Sequence, residues 1–162
     1  MEERKGQWFF GEEPMHVSAS EESLWQAVLR LKIEKATHVE FTLMPRQKTP
    51  KIFAPFDSFL ERRFVSSWRY GAQIPLRGKV LYLRYILAPS LIKFIREVPT
   101  LYAWMDDLPE DPALYLQSRL LVWTISHEGY VYVRLTRKEE SELRSQGFGL
   151  EECVDCPEWL HH

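Results

Sequence analysis

The sequence predicts a single α+β domain with one mixed or antiparallel sheet of about four to five strands and helices packed mainly on one face. Three observations lead there. The 162 residues, 45% of them hydrophobic, suit one globular core. The expected elements run helix, strand, loop, helix, strand, helices, strand-turn-strand, helix. The clearest of these is a hairpin over 120–135, where two runs rich in β-branched and aromatic residues flank His127, Glu128 and Gly129. Gly129 is the natural left-handed residue of that loop.

Residues 1–17 read as an N-terminal arm, polar apart from Trp8, Phe9 and Phe10, which tuck on the domain or form a short edge strand. Residues 18–162 form the domain. Its first helix runs from Ser20 to about Lys35. Ser20 can cap it, Glu21 and Glu22 suit its positive end, and Leu24, Trp25, Val28, Leu29 and Leu31 form its buried stripe. Residues 37–44 alternate as a half-buried strand, with Val39, Phe41 and Leu43 inward and His38, Glu40 and Thr42 outward. Pro45, Pro50 and Pro55 hold a basic loop extended, with a short edge strand possible at 51–54. Ser58 and Glu61 match a capping box, so a helix is expected to about Arg69, stacking Leu60, Phe64 and Trp68, with Gly71 as its stop.

Residues 79–87 form a strand that is apolar on both faces except at Arg84. Pro89 opens a helix that Pro99 ends, and Thr100 caps a short one to Asp107. Asp111 and Pro112 signal another short helix to Gln117. In the first hairpin strand Leu121, Trp123 and Ile125 share one face, and Leu120, Val122 and Thr124 the other. A second capping box, Thr136 with Glu139, opens the last helix, which stops at Gly147.

Net charge is −2, but its distribution is uneven. Residues 45–87 carry nine basic side chains against Asp57 and Glu61, a net +7, while 1–44 carry −3 and 88–162 carry −6. No apolar run approaches the about 20 residues needed to span a bilayer, and the N-terminus lacks the order of a signal peptide. The expected location is cytoplasmic.

Several constellations carry metal or nucleophile chemistry on paper. Cys153 and Cys156 are spaced to chelate one zinc, with His161 as a third ligand, but no second ligand pair exists elsewhere. Pro157 and the missing strand–helix context also disfavour a redox pair. Ser126, His127 and Glu128 hold triad chemistry but are consecutive, so they cannot fold onto one another. Asp106, Asp107, Glu110 and Asp111 offer carboxylates for a hard cation without the spacing of an EF-hand, and read more simply as a solvated loop with a helix cap. Asp57 and Glu61 read as a cap. No phosphate loop, dinucleotide fingerprint or nucleophile elbow is present.

The basic segment is the leading functional candidate. Arg46, Lys48, Lys51, Arg62, Arg63 and Arg69 interleave with aromatic residues. Arginine and aromatic side chains carry interface energy. The expectation is a small non-catalytic binding or regulatory protein that docks an acidic protein partner there, with no cofactor and no membrane association. Self-association is open. The alternatives are a nucleic-acid binder using the same surface and a metal- or thiol-dependent enzyme. A pI near 6.2 weighs against nucleic acid. Against the two surface readings stands a plain structural one, in which the rings are core and the arginines neutralise the acidic C-terminal half.

Overall fold

The computed structural model describes residues 13–45, 47–66, 80–105 and 107–153. It corrects the expected sheet of four to five strands: eight strands form one wholly antiparallel sheet, in the order β3-β4-β2-β5-β6-β7-β1-β8. These are β1 (Met15–Ala19), β2 (His38–Leu43), β3 (Leu60–Ser66), β4 (Val80–Ile86), β5 (Glu110–Leu116), β6 (Arg119–Ile125), β7 (Tyr130–Arg134) and β8 (Glu151–Glu152). Helices α1 (Glu22–Lys32), α2 (Pro89–Glu97) and α3 (Arg137–Ser145) and three 3₁₀ segments complete the order. Among the described residues no helix is long and apolar enough to cross a membrane.

Four of these strands were not expected as strands. β1 begins inside the stretch read as an arm and pairs with both β7 and β8; Trp8, Phe9 and Phe10 lie outside the described residues. The helix expected from Ser58 is instead the end of a 3₁₀ segment, Lys51–Phe59, followed by β3. That segment also replaces the edge strand expected at 51–54. The error has a physical source. A spacing of four between Leu60 and Phe64 reads as one side of a helix, but in β3 a bulge between Leu60 and Arg62 sends them to opposite faces, Leu60 against the helix-side core and Phe64 onto Tyr82. The third member of that stripe, Trp68, lies outside the described residues. The two-residue β8 carries no pattern to read.

β5 replaces the short helix expected at Asp111. It is a central strand that contains Pro112, which lacks the N–H a ladder needs. The pairing with β2 steps from Glu40 opposite Ala113 to Thr42 opposite Glu110, so Asp111 and Pro112 together oppose Phe41. This is a β-bulge, the place where a sheet interior tolerates proline. Asp111 takes φ 52, a left-handed conformation that aspartate adopts more readily than most residues. Its side chain then reaches the turn after β6. Ser126 N–H donates to Asp111 Oδ1 at 2.7 Å, and Asp111 N–H donates to Ser126 Oγ at 3.0 Å.

A second bulge lies in β6, where Leu114 opposes Val122 but Tyr115 opposes Leu120. The extra residue, Leu121, resets the alternation. Leu121 and Val122 therefore join the helix-side core, while Leu120 packs with Trp123 and Ile125 on the opposite side. Strict alternation, as read from the sequence, misassigns Leu120 and Leu121.

The larger core draws on α1 (Leu24, Trp25, Val28), α2 (Leu91, Ile95) and α3 (Leu143) and on strand residues including Val39, Phe41, Leu83, Tyr85, Val131 and Val133. The second cluster, Met15, Ala113, Tyr115, Leu120, Trp123 and Ile125, contains only strand residues. Aromatic packing anchors the first. Trp104 stacks on Phe41 at 5.1 Å, and Phe53 meets Phe41 and Phe94 edge-on at 5.2 and 5.4 Å. Each such pair adds roughly 0.5–1.5 kcal/mol beyond its buried area.

Capping separates the helices. Thr136 and Glu139 form the expected reciprocal box on α3. Ser20 does not cap α1; its hydroxyl donates to the Glu21 carbonyl, and the helix starts without a side-chain cap. Buried Lys32 ties α1 to α3 through Glu139 at 2.8 Å, and Lys35 adds a second bond at 2.6 Å. Burial alone would raise the Glu139 carboxyl. The bonds from Lys32 and Lys35 and from the Thr136 backbone outweigh it and hold the group at about 2.

In the hairpin, Ser126–Glu128 form a 3₁₀ turn and Gly129 takes φ 68, ψ 25. A Cβ there would lie 2.3 Å from the Tyr102 hydroxyl. Gly129→Val therefore forces a β-branched residue into the left-handed region and displaces the exposed Tyr102 side chain. We expect a loss of at least about 2 kcal/mol, read as a lower thermal midpoint. An unchanged midpoint would contradict the turn geometry.

Candidate functional site

The basic segment does not form one patch. Consecutive strand residues point to opposite faces, so Arg62 and Arg63 separate on β3. Arg62 lies over the Phe64 ring at 4.6 Å, on the face opposite the helices. Arg63 projects to the helix side, where its charge acts on Tyr85 alongside Asp57. Lys48 and Lys51 flank the start of the 3₁₀ segment and, with Ile52 and Leu108, line a groove of about 440 Å³. Arg46 and Arg69 lie outside the described residues.

Most rings of the segment are structural. Phe53, Phe56, Tyr82 and Tyr85 are buried, and Phe64 stacks on Tyr82 at 4.9 Å. The large apolar side chains exposed here are Ile52, Val65 and Ile86. Four cations remain at the surface. Lys48, Lys51, Arg62 and Arg63 are exposed and make no ion pair among the described residues. Arg84 behaves differently. It contacts Glu61 at 3.7 Å, donates to the Gln117 carbonyl and lies 4.5 Å over the Tyr115 ring. Internal pairing thus accounts for Arg84 but not for the other four.

The polar centre of the helix-free face is Glu40. The alternation of β2 places it outward, yet it is only 4% exposed because β2 is flanked by β4 and β5. Its register neighbours are Arg84 on β4 and Ala113 on β5, and Arg62 lies one strand beyond Arg84. Burial pushes the Glu40 carboxyl up to about 7, and Arg84, Arg62 and a hydrogen bond with Tyr115 offset this only in part. A carboxyl at about 7 changes charge near neutrality, a property that clusters at functional sites.

The thiol-centred metal site is not supported. Cys153 is disulfide-bonded, and no cysteine among the described residues is free. Zinc ligation needs a thiolate. Cys156 and His161 lie outside the described residues. The two loop clusters that the sequence keeps apart do converge. Donor atoms of Glu110, Asp111 and His127 all lie within 4.8 Å of one another. Sequence reasoning missed this because it placed Asp111 at a helix start; the bulge, with the hairpin beside it, makes the approach. Asp57 and Glu61 share no such site: Glu61 pairs with His38 at 3.0 Å.

No family model, curated protein or solved structure matches the chain.

Glu40 also sets a pH dependence. Its pKa is 4.5 unfolded and about 7 folded, so between these values the folded state binds more protons. Stability from this group is fully present below pH 4.5 and is lost as pH rises through 7. The loss amounts to about 3 kcal/mol at most. Glu40→Gln should flatten the fall in thermal midpoint between pH 5 and pH 8. Parallel profiles for wild type and variant would contradict the assignment.

Proposed function

We propose that this chain is a small non-catalytic binding protein that docks an acidic protein partner through β3 and the adjoining 47–52 turn. The observation that carries the reading is the set of exposed cations Lys48, Lys51 and Arg63, which make no ion pair among the described residues; Arg62 lies on the opposite face of the sheet, over Phe64. Exposed charges that form no ion pair among the described residues steer a complementary surface. Ile52, 53% exposed and lining the same groove as the two lysines, supplies an apolar anchor. β3 ends the sheet among the described residues, so a partner strand has an edge to approach.

The burial of Phe53, Phe56, Tyr82 and Tyr85 favours a protein partner over nucleic acid. Single-stranded nucleic acid is held by exposed rings on which bases stack, as well as by cations. A competing physical role for edge cations is to block edge-to-edge aggregation. Charge reversal separates the two roles, because a glutamate blocks aggregation as well as an arginine but repels an acidic partner.

The test is a salt-resolved, nuclease-treated pull-down from source-cell lysate with the triple variant Lys48→Glu, Lys51→Glu, Arg63→Glu. Arg62 is left intact because it acts on Glu40. We expect one specific partner whose capture falls with salt and drops at least about tenfold in the variant. The thermal midpoint should stay within the change of about 0.5 kcal/mol typical of surface substitutions. Capture that is unchanged in the variant, or abolished by nuclease, would contradict the proposal.

A further inference from the structure

We propose that Glu110, Asp111 and His127 form a binding site for a divalent first-row transition cation of the zinc type. One donor atom from each lies within 4.8 Å of the other two. The set joins one imidazole nitrogen to two carboxylates from separate elements, the start of β5 and the turn between β6 and β7. An imidazole among carboxylates selects zinc-like ions over calcium or magnesium, which prefer all-oxygen shells.

The three ligands are unequally fixed, as an adaptable site requires. Asp111 is 5% exposed, and its Oδ1 already accepts from Ser126 N–H at 2.7 Å. Such a second bond orients a ligating carboxylate. Glu110 is half-buried and His127 exposed, with His127 Nε2 3.6 Å from Glu128 Oε1, so an ion competes with that contact for the imidazole. Donors around a tetrahedral zinc stand about 3.4 Å apart, given bonds near 2.1 Å. The donors stand no more than 4.8 Å apart, so binding draws them together by up to about 1.4 Å. Three protein ligands leave one position for water or for an atom of a bound molecule.

The test is calorimetric titration of the chelator-stripped, full-length, oxidised protein with zinc chloride. Wild type should bind one ion per chain. His127→Ala and Glu110→Gln, both altering side chains that are not buried, should each weaken binding at least about tenfold, with circular dichroism confirming the fold. The double variant His161→Ala, His162→Ala controls for the neighbouring histidines at the chain end and should bind as wild type does. The proposal is overturned if wild type binds no zinc, if either site variant is weakened less than this, or if the double variant loses the ion.

Discussion

The middle of the sheet contains a proline, and the arrangement of the whole sheet follows from how it is accommodated. β5 stands between β2 and β6 and so joins β3, β4 and β2 to β6, β7, β1 and β8. Pro112 cannot donate to either neighbour. The chain answers with an extra residue: Asp111 enters the left-handed region and shares with Pro112 the place opposite Phe41. The backbone strain, of order 1–3 kcal/mol, is offset by the paired bonds between Asp111 and Ser126, which is fully buried. Thr124 adds a bond to the Pro112 carbonyl at 2.9 Å. The bulge is therefore held from the neighbouring strand and its turn.

The two candidate sites inherit their positions from this centre. The same β2–β5 pairing buries Glu40 next to Tyr115 and leaves its carboxyl only partly compensated by Arg84 and Arg62. On the other side of the bulge, the turn held by Asp111 brings His127 to Glu110. The exposed cations on β3 and the 47–52 turn stand apart. Of these, Lys48, Lys51 and Arg63 make no ion pair among the described residues, and they carry the surface we assign to a partner.

Legibility followed how local each cause was. Gly129 and the Thr136–Glu139 box were readable because turn and cap chemistry act within four residues. The strand character of residues 38–43, 80–86 and 119–134 was readable from β-branched and aromatic content. β3 was not, because its apolar spacing of four fits a helix, and the bulge that sends Leu60 and Phe64 to opposite faces of the strand is set by pairing with β4. β5 was not, because an aspartate before a proline is the ordinary start of a helix, and only neighbours far along the chain make it a bulge. The burial of Glu40 was hidden for the same reason: alternation tells which face a residue is on but not whether the flanking strands cover that face. Of the site residues, the exposed basic ones could be named from charge alone. The approach of Asp111 to His127 depends on tertiary contact.

The most direct measurement of this account is amide hydrogen exchange at Ser126 in wild type and in Asp111→Gly. Glycine accepts φ 52 without strain, so the variant removes the side-chain acceptor while sparing the backbone. Losing a buried bond to a charged group costs about 1.5–3 kcal/mol. Ser126 should therefore be protected in wild type and exchange roughly ten- to a hundredfold faster in the variant. Equal exchange rates in the two proteins would contradict the claim that Asp111 holds the bulge and the turn together.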